Sequence, residues 1–125
     1  MAGEKPKKHN QALGKWGEAQ ASAYLKAKGY IILEANYRTR YGEVDLITLD
    51  QQTVVFVEVK TRRTQTFGYP ENSVNSAKRT HMVNSAQVYM QTQGEMDWRI
   101  DVIAVSISET NQPPEITHFE NAIYD

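Results

Sequence analysis

A chain of 125 residues, 40% of them hydrophobic and 23% charged, has the size and composition of one ordinary globular domain. The absence of cysteine excludes disulfides, thiolate zinc sites, iron–sulfur clusters and a cysteine nucleophile. No apolar run approaches the roughly 18 residues of a membrane span, and the polar N-terminus lacks the apolar core of a secretory signal, so a cytoplasmic protein without a membrane partner is expected.

Residues 1–12, rich in lysine and nearly devoid of apolar side chains, read as a disordered basic leader, and residues 13–125 as a single folded domain. Leu13, Trp16, Ala21, Tyr24 and Leu25 recur at helical spacing and predict a first helix over Leu13–Lys28, stopped by Gly29. Tyr30–Arg38 is a strand candidate. Two β-rich runs follow, Glu43–Leu49 and Thr53–Thr61, joined around Asp50, Gln51 and Gln52 as a hairpin.

The polar stretch Arg62–Ser73, with Gly68 and Pro70 as breakers, precedes a second amphipathic helix carrying Val74, Met82, Val83, Ala86, Tyr89 and Met90 and ending at Gly94. Trp98–Ser106 is a further strand, and Glu115–Ile123 a short last one. This order predicts a mixed sheet of four or five strands with a helix on each face. The hairpin agrees, because Val44, Leu46, Thr48, Val55, Val57 and Val59 alternate onto one face while Ile47, Leu49, Val54 and Phe56 occupy the other. Trp16, Phe56 and Trp98 are read as core.

The net charge of -1 conceals a segregated pattern. Met1–Arg40 carries 8 basic and 3 acidic residues and Thr61–Gln93 carries 4 and 1, whereas Tyr41–Lys60 carries 1 and 4 and Gly94–Asp125 carries 1 and 7. A polyanionic partner responds to this local field, so the near-neutral total does not exclude one.

A hairpin centred between Gln51 and Gln52 sets Leu49 opposite Val54, Ile47 opposite Phe56, Asp45 opposite Glu58 and Glu43 opposite Lys60. Asp45 and Glu58 would then repel one another unless a cation lies between them, and Lys60 shares their face. Two arrangements satisfy the charges: a hard oxygen-ligand site for Mg²⁺, or a salt network in which Lys60 neutralises both acids. Glu18 lies seven residues before Leu25, on the shoulder of the buried stripe of the first helix, and can lean toward the sheet. Gly14 and Gly17 beside it weaken the helix, as expected where it closely approaches another backbone.

The series Gly17-Glu18, Gly42-Glu43-Val44-Asp45-Leu46-Ile47 and Val55-Phe56-Val57-Glu58-Val59-Lys60-Thr61-Arg62 resembles the YraN-type family of small bacterial proteins. That family is similar to the PD-(D/E)xK nucleases and especially to archaeal Holliday-junction resolvases. The resemblance runs from about Leu13 to Ala122, with Val44 where the superfamily's name has proline. It implies an α/β domain of the restriction-endonuclease-like fold and a Mg²⁺-dependent nuclease, with Mn²⁺ as substitute, acting on DNA of branched or damaged structure. Carried over position by position, Asp45 and Glu58 would bind the metal, Lys60 would act on the attacking water, and Glu18 would support the metal shell. A homodimer, and a protein that delivers the substrate, are expected partners. The rival reading is a non-catalytic nucleic-acid-binding or protein-interaction module that keeps the fold.

Tyr37, Arg38, Arg40 and Tyr41 interleave aromatic and basic groups before the hairpin, and Arg62 and Arg63 follow Lys60, so these residues would flank a phosphate track. Lys78, near the start of the second helix, either reaches that substrate or lays its stem along the apolar stripe. His9, His81 and His118 have no carboxylate or second histidine at ligand spacing and are expected in surface or satisfied roles, and Asp101 stays unassigned. No nucleophile elbow or glycine-rich phosphate loop occurs, which removes serine hydrolases and P-loop nucleotide hydrolases.

Overall fold

The computed structural model describes residues 4–63, 75–107 and 112–123. Its elements are α1 (Glu4–Ala27), β1 (Ile31–Thr39), β2 (Gly42–Asp50), β3 (Thr53–Arg62), α2 (Ser76–Met90), β4 (Asp97–Ser106) and β5 (Glu115–Ile123). α1 starts at Glu4, inside the stretch that reads as a leader, and ends as expected at Gly29, whose φ of 96° suits glycine and lets the Tyr30 N–H reach back to the Leu25 carbonyl. Asn75 caps α2, its side chain accepting the Lys78 N–H at 2.8 Å. Gly68, Pro70 and Val74 lie outside the described residues.

The five strands form one sheet in the order β1-β2-β3-β4-β5. All neighbours are antiparallel except β3 and β4, and α2 lies in the crossover that a parallel pair requires. The fold is the α/β, restriction-endonuclease-like plan that the resemblance implied, and β5 makes the strand count five.

Each face of the sheet is covered by one helix. Ala21 and Leu25 of α1 pack with Leu46, Val55, Val57, Ile103 and Val105, while Met82, Val83, Ala86, Tyr89 and Met90 of α2 pack with Ile47, Val54, Phe56, Ile100 and Val102. Strict alternation along β3 therefore feeds two cores, which is why its run is apolar on both faces. Phe56 is fully buried with Tyr89 and Trp98 edge-on to its ring, whereas Trp16 and Trp98 are partly buried at the margins of the two clusters. Among the described residues no helix is long and apolar enough to cross a membrane.

Candidate active site

The hairpin register is the expected one from Leu46↔Val57 through Ile47↔Phe56 to Asp50↔Thr53. Beyond Leu46 the pairing of β2 with β3 stops, although β2 stays paired with β1 as far as Gly42. There the Asp45 carboxylate reaches across and accepts the Val59 N–H through Oδ2 at 2.8 Å. A side chain replaces a main-chain acceptor, so the strands part while the half-buried donor stays satisfied. This corrects two expectations. Val44 packs in the cluster under α2 and not beside Leu46, because Asp45 turned toward β3 interrupts the alternation, and Glu43 pairs with Arg38 at 3.7 Å rather than standing opposite Lys60.

Glu58 continues the regular part of β3 and is only 4% exposed. Its Oε2 receives two ammonium groups, Lys60 Nζ at 3.3 Å and Lys78 Nζ at 3.2 Å. Its Oε1 is buried with no hydrogen-bond partner. A buried carboxylate oxygen without a partner is costly, and a bound cation is one way to satisfy it. Lys78 crosses from the first turn of α2 to the acidic residue of β3. Nothing local in the sequence signals this contact, because the crossover that brings the two residues together is a tertiary feature.

Asp45 shares the environment. Burial, and next the Glu58 carboxylate, push its carboxyl up to about 7, with Glu18 adding to the rise and the Val59 N–H and Lys78 opposing it. The Glu18 Oε1 accepts a hydrogen bond from Asn36 Nδ2 at 3.1 Å. Asn36 is in the left-handed region with φ 52°, a conformation that asparagine tolerates better than most residues. The β1–β2 pairs on either side are Ala35↔Leu46 and Tyr37↔Val44, so this irregularity lies level with Asp45. Asn36 was not among the residues singled out from the sequence. An asparagine inside a strand-forming run was the available signal.

α1 approaches the sheet at Gly17. A Cβ there would overlap Thr61 Oγ1 and crowd the Thr61 Cβ at 3.0 Å, so the glycine allows the close approach. At Gly14 the same atom would meet nothing within 4 Å, which corrects the expectation that both glycines serve it. Gln11, Gly14, Lys15, Glu18, Asn36, Arg38 and Glu43 line an open groove of about 530 Å³ on this side. On the α2 side Tyr41, Gly42, Glu43, Lys78, His81, Met82 and Ser85 enclose about 80 Å³, so Glu43 borders both spaces.

Of the basic residues expected beside the site, Arg38 is 85% exposed on the groove, and Arg40 lies over the Tyr41 ring at 5.0 Å and donates to its hydroxyl at 2.8 Å. Tyr37 packs edge-on against Tyr89. Arg62 ends β3, half-buried, and exposed Arg63 follows it, at the end of the strand that Lys60 approaches.

Asp45 and Glu58 present only oxygen donors, which suits a hard divalent ion such as Mg²⁺ or Mn²⁺, and the buried Oε1 of Glu58 is an oxygen such an ion can take. Among the described residues no three His, Cys, Asp or Glu side chains gather as a complete cage. The residues therefore fit an ion that takes its remaining ligands from water and substrate, as Mg²⁺ commonly does.

A second polar cluster lies away from this site. Asp101 is fully buried and accepts from Arg99 Nε at 3.0 Å and from the Asn121 N–H at 2.8 Å, while His118 Nε2 lies 2.7 Å from its other oxygen. Arg99 also reaches the Tyr30 hydroxyl at 2.8 Å, and His118 Nδ1 meets Lys28 Nζ at 3.0 Å. Burial alone would raise the Asp101 carboxyl, but the bonds from His118, the Asn121 N–H and Arg99 hold it below the usual carboxylate range. His118 has the satisfied role expected of it, but its carboxylate partner comes from the neighbouring strand, out of reach of local spacing. Asp101 is a structural anchor between β4 and β5.

A five-strand mixed sheet with one helix on each face is the α/β plan of the restriction-endonuclease-like fold class. Residues 17–105 match the family described as "Uncharacterised protein family UPF0102". Curated UPF0102 proteins similar to this chain include one from Alkaliphilus oremlandii, 46% identical over 90% of this chain and 98% of its own length. Another, from Syntrophomonas wolfei, is 42% identical over 90% of this chain and 98% of its length, and a third, from Chlorobium chlorochromatii, is 48% identical over 76% and 74%. The chain belongs to the UPF0102, or YraN-type, family.

Proposed function

We propose that this protein is a cytoplasmic, Mg²⁺-dependent nuclease that hydrolyses phosphodiester bonds of DNA, with branched or damaged DNA as the substrate class. The observation that carries the reading is Glu58: it is buried next to Asp45 where β2 leaves β3, with one carboxylate oxygen on Lys60 and the other without a partner. An isolated salt network has no use for that second oxygen.

In this reading Asp45 and Glu58 hold the divalent ion, which when bound withdraws charge from the scissile phosphate and lowers the pKa of water. Lys60 stays beside Glu58, orients the attacking water and balances the charge that develops on the phosphate. Asn36 restrains Glu18 through its Oε1, so that the glutamate supports the metal shell from the helix. Gly17 permits this by letting α1 approach β3. Lys15 and Arg38 along the groove, with Arg40, Arg62 and Arg63 beyond, form the surface for the phosphate backbone. A second copy of the chain would supply the second active site that cutting two symmetric strands requires.

The rival, a binding module without catalysis, draws on one specific observation: Lys60 and Lys78 together already neutralise Glu58. Incubating the pure protein with duplex, single-stranded, flap and four-way DNA in Mg²⁺, Mn²⁺ or EDTA separates the two. Metal-dependent cutting that disappears in Lys60→Ala supports the nuclease. Binding of the same DNAs without cutting by the parent supports the module.

A further inference from the structure

Two ammonium groups converge on one oxygen of Glu58, and they come from different elements. Lys60 is two residues along β3 from its partner and is held to the same face of the sheet, its side chain 28% exposed. Lys78 arrives from α2 with its side chain 41% exposed. Its backbone is fixed, because its N–H is the one that Asn75 caps, but its four-carbon stem is free to swing about that anchor. The stem borders the space of about 80 Å³ shared with Tyr41, Gly42, Glu43, His81, Met82 and Ser85, which gives it somewhere to go.

We infer that Lys78 is a displaceable counter-ion of Glu58: a divalent cation that takes the Glu58 carboxylate turns the Lys78 ammonium out of the site and toward a phosphate of the bound nucleic acid. The inference rests on the metal-dependent reading of the site. Its physical basis is charge. At equal distance a doubly charged ion repels an ammonium group twice as strongly as the carboxylate attracts it, so an ion on Oε1 works against an ammonium held on Oε2 of the same carboxylate. Lys60 has a short tether on the same strand, and the more exposed helix lysine is the one that yields. Once released, Lys78 brings a positive charge to the side of the site opposite the Lys15–Arg38 groove. Metal binding and phosphate binding are then coupled, and by linkage each tightens the other.

The role is one of positioning, and metal affinity reads it out without any turnover. Mn²⁺ is titrated calorimetrically into the full chain and into Lys78→Met, with Lys78→Gln as a second variant in case the first does not fold. A short DNA duplex with cleavage-resistant phosphorothioate linkages is then titrated by fluorescence anisotropy, with and without Mn²⁺. Removing the competing ammonium should tighten Mn²⁺ binding about tenfold, within the usual range of coupled sites, and should erase the gain in DNA affinity that Mn²⁺ produces in the parent. Lys78→Arg should keep that gain. If the parent binds Mn²⁺ and the uncharged variants match it in both Mn²⁺ affinity and DNA gain, the displacement is wrong while the metal site stands. Weaker Mn²⁺ binding in both uncharged variants would make Lys78 a structural support, and also overturns the inference. If Mn²⁺ binds neither parent nor variants, the metal reading fails and the inference fails with it.

Discussion

The Asp45 carboxylate accepts the backbone N–H of Val59 at 2.8 Å, on the neighbouring strand, at the point where β2 and β3 cease to pair. A carboxylate that completes a sheet's hydrogen bonding is held in place, as the proposed metal-binding role of Asp45 requires. Burial, and next the Glu58 charge, also make its own charge costly.

That cost predicts a pH dependence. The folded-state pKa of Asp45, about 7, lies above the unfolded value, so the stability this group contributes is fully present below the unfolded value near 4 and is lost as pH rises through about 7. Asp45→Asn retains an acceptor for Val59 but has no charge. The variant should therefore match the parent near pH 4 and exceed it by roughly 1–2 kcal/mol at pH 8, measured by urea unfolding at both pH values. A variant less stable than the parent at pH 8 would make Asp45 half of a structural salt network.

Metal linkage follows from the same pair. Mn²⁺ at 100 times its dissociation constant should stabilise the parent by about 2.7 kcal/mol, and Asp45→Asn and Glu58→Gln much less. Thermal melts in Mn²⁺ and in EDTA check this without knowledge of the substrate. Equal melting temperatures for the parent in both conditions would remove the metal site.

The two glycines of α1 should respond to alanine with opposite signs. Gly14→Ala meets open space and should stabilise by about 0.5–1 kcal/mol through helix propensity. Gly17→Ala drives a methyl group into Thr61 and should destabilise by roughly 1–3 kcal/mol, despite the same gain in propensity. Thr61→Ala should recover part of that loss in a double-mutant cycle, since it removes the overlapping hydroxyl.

Asp101 should dominate the acid limb of stability. Its folded-state pKa is lowered, so its contribution is present above the unfolded value near 4 and is lost as pH falls through the folded one. Asp101→Asn removes the fully buried charge that Arg99 and His118 meet, while half-buried Arg99 keeps Asp50 and Glu120 as partners, and should cost roughly 1–2 kcal/mol at pH 7. The difference between parent and variant should shrink toward pH 2 in an acid titration followed by circular dichroism.

The groove beside α1 predicts a salt effect. Lys15→Ala with Arg38→Ala should weaken DNA binding about equally across sequences and lower the slope of log affinity against log salt by roughly 2 units. An unchanged slope in anisotropy titrations at several salt concentrations would take the groove off the DNA surface.

What the sequence determined by itself are the features that depend on near neighbours along the chain. Period-two alternation and the turn at Gln51 and Gln52 set the hairpin register, helical spacing and Gly29 set α1 from Leu13 to its C-terminal end, and apolar runs on both faces of β3 demanded a helix on each side. Asp45, Glu58 and Lys60 were legible because the register puts them on one hairpin. The tertiary structure alone decided where that register breaks, since Asp45 bonds across the gap and moves Val44 to the other core. It also decided three pairings between residues far apart in sequence: Lys78 with Glu58, Asn36 with Glu18, and His118 with Asp101. Each joins different elements, and its geometry follows from how helices and strands pack. Hydrogen bonds and charges act through space over a few ångströms, so a pattern read along the chain finds them only when the chain itself is the shortest path between the two groups.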